Sequence, residues 1–254
     1  MSRLFRILND NETIGVVYDS KEHASPRKQE IIRLWDPLKA VCRFSKETGI
    51  SLQTAYNTGM KIMDGTERLS DDQGDVIISN YPNHGKRFYT EIKRFNRIHD
   101  IRLEQEKIEY LWEVVWETVR LELYRNLPSR LYSISYYQDI GNAMRYCQFG
   151  RDNTHIVLSV TPGKQCRQFD ENWFKQITTS SNYDEVTELA KGYWSGKMTP
   201  NRIIEVLVTG KYPLFHNLRR EVRERKKTKN LVLIQGSSVD DVIVSILQKL
   251  RKRP

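Results

Sequence analysis

An α+β fold is what the sequence predicts, and two observations carry it. Apolar residues recur at helical spacing through most of the first half, whereas short alternating runs rich in Ile, Val and Tyr mark the second. Runs of helices followed by runs of strands point to an α+β arrangement rather than a regularly alternating one. With 254 residues, 39% of them hydrophobic, the chain suits one large domain, or one and a half, with a sizeable core.

In chain order, residues 3 to 8 (RLFRIL) form a first short strand that carries Arg6. Ser25-Pro26 reads as a helix start, and IIRLWDPLKAVCRF continues it with a break or bend at Pro37. A further helix covers Leu52 to Met63. Residues 71 to 85 are rich in Asp, Gly, Asn and Pro and read as a loop region around a short VII run. The longest helix is expected over Arg94 to Tyr124, where Ile98, Ile101, Ile108, Leu111, Trp112, Val115, Val119 and Leu123 recur at steps of three and four. Trp112 and Trp116 adjoin one face of it and read as core packing. Pro128 follows its end.

From there the pattern changes. Arg130 to Tyr137 (RLYSISYY) alternates as a strand does, and Asp139 reads as the N-cap of a short helix over IGNAMRYCQF. His155 to Val160 is a strand closed by Thr161-Pro162-Gly163. Residues 168 to 195 are mixed, helical over YDEVTELAKGYW. After the strand at 202 to 209 come a charged linker, RREVRERKKTKN, and a final strand and helix, NLVLIQ and SSVDDVIVSILQKL.

The stretch Arg202 to Thr209 (RIIEVLVT) sets one carboxylate inside an aliphatic run. Ile203, Glu205 and Leu207 share one face of such a strand, and Ile204, Val206 and Val208 the other. Read by itself, the strand favours an edge position with Glu205 in solvent. Burying an unpaired carboxylate costs several kcal/mol in order of magnitude, so a strand that buries one pairs it or uses it.

Charge and composition narrow the function. The chain has 41 Lys and Arg against 32 Asp and Glu, a formal charge of +9 that favours polyanionic partners such as nucleic acid. Cys42, Cys147 and Cys166 are odd in number and far apart, which suggests neither a disulfide framework nor a zinc site. The five histidines show no metal spacing, so no metal is assigned. No Walker-type loop and no GxGxxG follows a strand. The first residues lack a signal peptide's apolar core and no run is long enough to span a bilayer, so the expected location is cytoplasmic and no membrane partner is expected.

The order of three features, Arg6 on a first strand, Ser133 and Ser135 on a middle strand leading into a helix, and Glu205 on a late strand, resembles the ADP-ribosyltransferase superfamily. SISYYQDIGNAMRYCQF is similar to its Ser-x-Ser strand and following helix, and IIEVLVTGKYPL to its late Glu strand. The chain also resembles a family of uncharacterised bacterial proteins carrying a domain of unknown function, through LFR at 4 to 6, LPSRL at 127 to 131 and YWSG at 193 to 196. That family more often has His where this chain has Arg6.

The resemblance implies a split, mostly antiparallel sheet core in a single domain over 1–254, with a helical insertion at 20–125, core motifs at 126–215 and a C-terminal strand-helix unit at 228–254. It implies NAD as substrate, with Glu205 and Ser133 as catalytic residues and Arg6, Arg130, Ser135, Tyr136, Tyr193 and Trp194 around NAD. Tyr137 would add to the stacking surface. Each has a plainer reading: Arg6 as a solvent-facing cation, Arg130 as one half of a salt bridge, Tyr193 and Trp194 as core aromatics. The resemblance extends to RNA-modifying ADP-ribosyltransferase toxins of bacterial phage defence, which implies a nucleic-acid acceptor with RNA ahead of DNA, an antitoxin, and in some systems a chaperone. An ADP-ribosyltransferase acting on protein, or a nucleic-acid-binding module without activity, are the alternatives.

Overall fold

The computed structural model describes residues 4–7, 17–20, 26–65, 80–99, 102–104, 107–139, 142, 156–160, 166–213 and 232–234. Its residues gather into two compact units. The first unit comprises Met1–Ser25, Pro128–Glu171 and Met198–Pro254, and the second Pro26–Leu127 and Asn172–Lys197. The fold is α+β.

The first unit is built on β-strands: β1 (Leu4–Ile7), β2 (Val17–Asp19), β3 (Ile134–Tyr137), β4 (Ile156–Val160), β5 (Cys166–Asp170), β6 (Ile204–Val208), β7 (Lys211–Pro213) and β8 (Val232–Ile234). Six of them form one sheet in the order β5-β6-β3-β1-β4-β8, and β2 pairs with β7 in a small second sheet. All neighbours in the large sheet are antiparallel except β4 and β8. Numbered by chain order, its strands run 4-5-2-1-3-6. The strand bearing Glu205 is therefore interior, flanked by β5 and β3, and the edge position expected from its sequence alone is overturned.

Aliphatic residues hold β6 in place. Val206, Leu207 and Val208 are buried, as are Ile134, Tyr136 and Tyr137 of β3 and Phe169 of β5. The segment before β6 is tied down by Asp170, the last residue of β5. Its carboxylate is fully buried and accepts hydrogen bonds from the Thr199 amide (2.6 Å), the Thr199 hydroxyl (2.7 Å) and the Ile203 amide (2.8 Å). After β6 the chain turns at Gly210, whose φ of 85° suits a residue without Cβ. Ser20 and Gly210 exchange hydrogen bonds there, which extends the β2–β7 ladder.

The second unit is helical: α1 (Pro26–Arg33), α2 (Trp35–Thr48), α3 (Leu52–Asp64), α4 (Pro82–His99), α5 (Tyr110–Leu123), all but the first residue of a 3-10 turn (Glu171–Gln176) and α6 (Tyr183–Trp194). The break expected at Pro37 lies three residues earlier, at Leu34, and Pro37 sits in the first turn of α2, where its missing N–H costs nothing. The ends are chemically marked. Ser51 caps α3 through the Thr54 amide, Gly49 and Gly65 close α2 and α3 in the left-handed conformation, and Asn182 with Glu185 forms a capping box on α6.

Two expectations are corrected here. Residues 82 to 85 begin α4 rather than ending a loop. The long helix expected over 94 to 124 is two helices, α4 and α5. Leu103 is buried against Gly59 and its amide donates to Met63 Sδ, while Tyr56 donates its hydroxyl to the Glu104 carbonyl (2.8 Å). Contacts to α3 thus take up backbone groups that a continuous helix would have paired internally. The helix expected after Asp139 lies mostly outside the described residues, although the Asp139 carboxylate does accept from the Asn142 amide (3.0 Å). The 161–163 turn, the 219–230 linker and the C-terminal helix also lie outside them.

An aromatic cluster fills the helical core. Trp116 packs on Phe174 (4.5 Å between ring centres) and Tyr193 (6.1 Å), Tyr193 meets Trp194 edge-on (4.8 Å), and Trp194 donates its indole N–H to the Trp116 carbonyl (2.9 Å). Gly192 lets Trp173 approach so closely that a Cβ would stand 2.9 Å from its ring. Cys42 is buried on α2, and that burial pushes its thiol up to about 12. Among the described residues no helix is long and apolar enough to cross a membrane.

Candidate functional site

The geometry around Glu205 follows from strand register. On β6, Glu205 stands opposite Tyr137 of β3 on one side and Phe169 of β5 on the other. Tyr137 in turn stands opposite Phe5 of β1, so Phe5, Tyr137, Glu205 and Phe169 form one row across four strands. Directly opposed residues share a face of the sheet. Ser135, two residues before Tyr137 and opposite Leu207, belongs to the same face.

Glu205 is only 1% exposed. Its Oε2 accepts a charge-assisted hydrogen bond from Nη1 of Arg130, whose side chain is 13% exposed. Arg130 comes from the Ser129–Ser133 turn that leads into β3. In that turn the Leu131 amide donates to Ser129 Oγ (3.2 Å), and the Ser133 hydroxyl donates to the Ser129 carbonyl. The turn thereby fixes the start of the strand and holds the guanidinium where it reaches across to β6. Tyr137 presents its hydroxyl to Glu171 at 3.5 Å, at the far end of the same face.

Of the residues singled out from the sequence, Glu205, Arg130, Ser135 and Tyr137 come together on this side of the sheet. Ser133 precedes β3 and is buried in its turn. Tyr136 falls on the opposite face, paired with Val206, because neighbours along a strand alternate. Arg6 takes the register position opposite Leu158, one residue out of the row, and it is Phe5 that lines up with Tyr137 and Glu205. Tyr193 and Trp194 belong to the other unit and are both core aromatics, 0% and 2% exposed.

Sequence reading missed β5. Its segment, CRQFD, has polar residues at three of five positions and an exposed Arg167 and Gln168, so neither alternation nor β-branched content marks it. Phe169 and Asp170 are therefore additions, the first beside Glu205 and the second anchoring the chain that enters β6. Among the described residues, no group of three or more His, Cys, Asp or Glu side chains could hold a metal ion.

Residues 40–219, more than two thirds of the chain, match the family described as protein of unknown function (DUF2441). The chain belongs to the DUF2441 family. The matched span holds every element of the Glu205 site except β1: Arg130, the β3 strand, Phe169, Asp170 and β6. It also contains the LPSRL and YWSG segments. None of the curated proteins compared with this DUF2441 chain matches it.

Proposed function

We propose that this DUF2441 protein is an NAD-dependent ADP-ribosyltransferase that modifies nucleic acid, RNA ahead of DNA. The observation that carries the reading is Glu205: a carboxylate buried on an interior strand, next to the strand that bears Ser135 and Tyr137. A carboxylate in a dry, preformed setting stabilises developing positive charge far better than one in water.

Transfer begins with the bond between nicotinamide and ribose. As it breaks, nicotinamide leaves with the bonding electrons and positive charge builds on the sugar, as in glycoside cleavage. Glu205 would hold the ribose hydroxyls and strengthen its interaction with the sugar as that charge grows. A nucleophilic atom of the acceptor then bonds to the anomeric carbon and loses its proton, with Glu205 as the base. The remaining residues fit NAD as well. Ser135 offers a hydroxyl on the same face, Tyr137 an aromatic edge, and Arg130 a fork that suits either the Glu205 carboxylate or pyrophosphate oxygens. Because Glu205 is buried, NAD reaches it only when the face around it opens.

The basic balance of the chain supports a polyanionic acceptor. An enzyme of this kind acting on RNA would damage the cell that makes it. The reading therefore extends to a toxin of bacterial phage defence, cytoplasmic, restrained by an antitoxin and assisted by a chaperone; this extension rests on analogy. The test is to incubate the purified chain with labelled NAD and total lysate, then digest with RNase, DNase or protease. Label lost to RNase supports the reading; label lost only to protease means a protein acceptor.

One observation favours a second reading. A buried Arg130–Glu205 pair would serve equally as a core ion pair in a nucleic-acid-binding module without enzymatic activity. Such a module would consume no NAD under any condition.

A further inference from the structure

The outward face of α4 carries an unusual share of the chain's charge. Its 18 residues include Lys86, Arg87, Lys93, Arg94 and Arg97 against a single acid, Glu91. That excess of four is close to half of the chain's +9. The inward side of α4 is apolar: Phe88 and Ile92 are buried, and Phe88 stacks on Phe44 of α2 at 4.4 Å. The outward side reads Lys86, Thr90, Arg94 and Arg97, all exposed, at steps of four, four and three that keep them on one stripe. From first to last the stripe runs about 16 Å along the helix axis.

What separates this stripe from its surroundings is the absence of countercharge among the described residues. Arg87 pairs with Glu47 of α2, and Arg43 of α2 pairs with Glu91. Lys93 lies 5.8 Å over the Tyr89 ring. Lys86, Arg94 and Arg97 have no carboxylate partner among the described residues. Arg94 and Arg97, like charges three residues apart, cost a few tenths of a kcal/mol, so the stripe works slightly against the helix that displays it.

We propose that this face of α4 is a docking surface for the phosphate backbone of a nucleic acid. Guanidinium forks match phosphate oxygens, and cations displayed along one helix face can meet successive phosphates of a strand. An acidic protein segment is the rival occupant. The stripe offers such a partner no large apolar anchor, since only Thr90 interrupts the cations, and protein interfaces draw most of their energy from buried aromatic and aliphatic anchors. The proposal rests on the nucleic-acid acceptor named above, but binding to α4 needs no NAD.

The test uses the full chain and a fluorescein-labelled single-stranded RNA of mixed sequence, without NAD, with anisotropy read across a salt series. Wild-type affinity should fall steeply with salt. The K86Q/R94Q/R97Q variant should lower the slope of log affinity against log salt by about 2, at about 0.7 per lost phosphate contact. R94K/R97K should keep most of the slope, and K175Q/K197Q/R202Q, which removes three exposed cations outside α4, should move it far less. Circular dichroism confirms that each variant is folded. The proposal is overturned if wild type does not bind RNA, if the α4 variant binds like wild type, or if the control variant lowers the slope as much. NAD turnover absent in wild type that still binds RNA would sink the enzymatic reading and leave this surface standing, while RNA binding absent in wild type that still turns over NAD would do the opposite.

Discussion

The guanidinium of Arg130 meets the carboxylate of Glu205 across 75 residues of sequence, joining the turn before β3 to the middle of β6. Two charges that are nearly out of water depend on each other, because either one left alone carries its desolvation cost without the compensating attraction. Replacing Arg130 with Gln should therefore destabilise the protein by roughly 3–5 kcal/mol. The R130Q/E205Q double variant, which leaves no stranded carboxylate, should recover part of that loss. Urea unfolding of the two single variants and the double variant measures the coupling, and simple additivity would mean the pair contributes nothing.

A second set of contacts governs how the chain enters β6. The Asp170 carboxylate takes two backbone amides and one hydroxyl from residues 199 to 203. Asp170→Ala strands those amides, at about 1–3 kcal/mol for each buried group left unmade. Hydrogen exchange should accelerate first at Thr199 and Ile203. Unchanged protection there would show that the carboxylate is dispensable.

How much of this was legible beforehand depended on how local the signal was. β6 could be read because Ile, Val and Leu surround one Glu, and the capping pairs of α3 and α6 are written in neighbouring residues. The position of β6 inside the sheet could not be read, since that depends on β5, whose five residues carry no strand pattern of their own. The break between α4 and α5 was hidden for the same reason. No proline or glycine marks it, and it comes from Leu103 and Glu104 meeting α3 residues 40 and 48 positions away in sequence. Of the candidate site, Glu205 and Ser135 come from motif order and Arg130 from the LPSRL segment. Which face Arg6 and Tyr136 take needed register, where a shift of one residue changes the face.

The helical core makes a steric prediction. A Cβ at position 192 would stand 2.9 Å from the Trp173 ring. Gly192→Ala gains helix propensity worth up to about 1 kcal/mol but must displace a packed indole, at roughly 1–3 kcal/mol. Net destabilisation is expected in a thermal melt. A higher melting temperature would show that Trp173 moves aside freely.

Acid should weaken the helical unit through Glu30. Its hydrogen bonds with Arg33 and Lys107 hold its carboxyl down at about 2, against an ordinary 4.5. A lowered folded value means that the stabilisation is complete above about 4.5 and is lost as pH falls toward 2. The group is partly exposed, so the effect stays below about 1 kcal/mol. Glu30→Gln should flatten the dependence of stability on pH within that window and leave it unchanged above. An equal acid slope in both proteins would assign the loss to other groups.

The most direct measurement of the central claim is the release of nicotinamide from NAD by the purified chain supplied with RNA, compared between wild type and Glu205→Gln. The account predicts turnover by wild type and a loss of roughly 10²-fold or more in the variant, with its fold and its RNA affinity retained. Equal turnover in both proteins, or none in wild type, would contradict it.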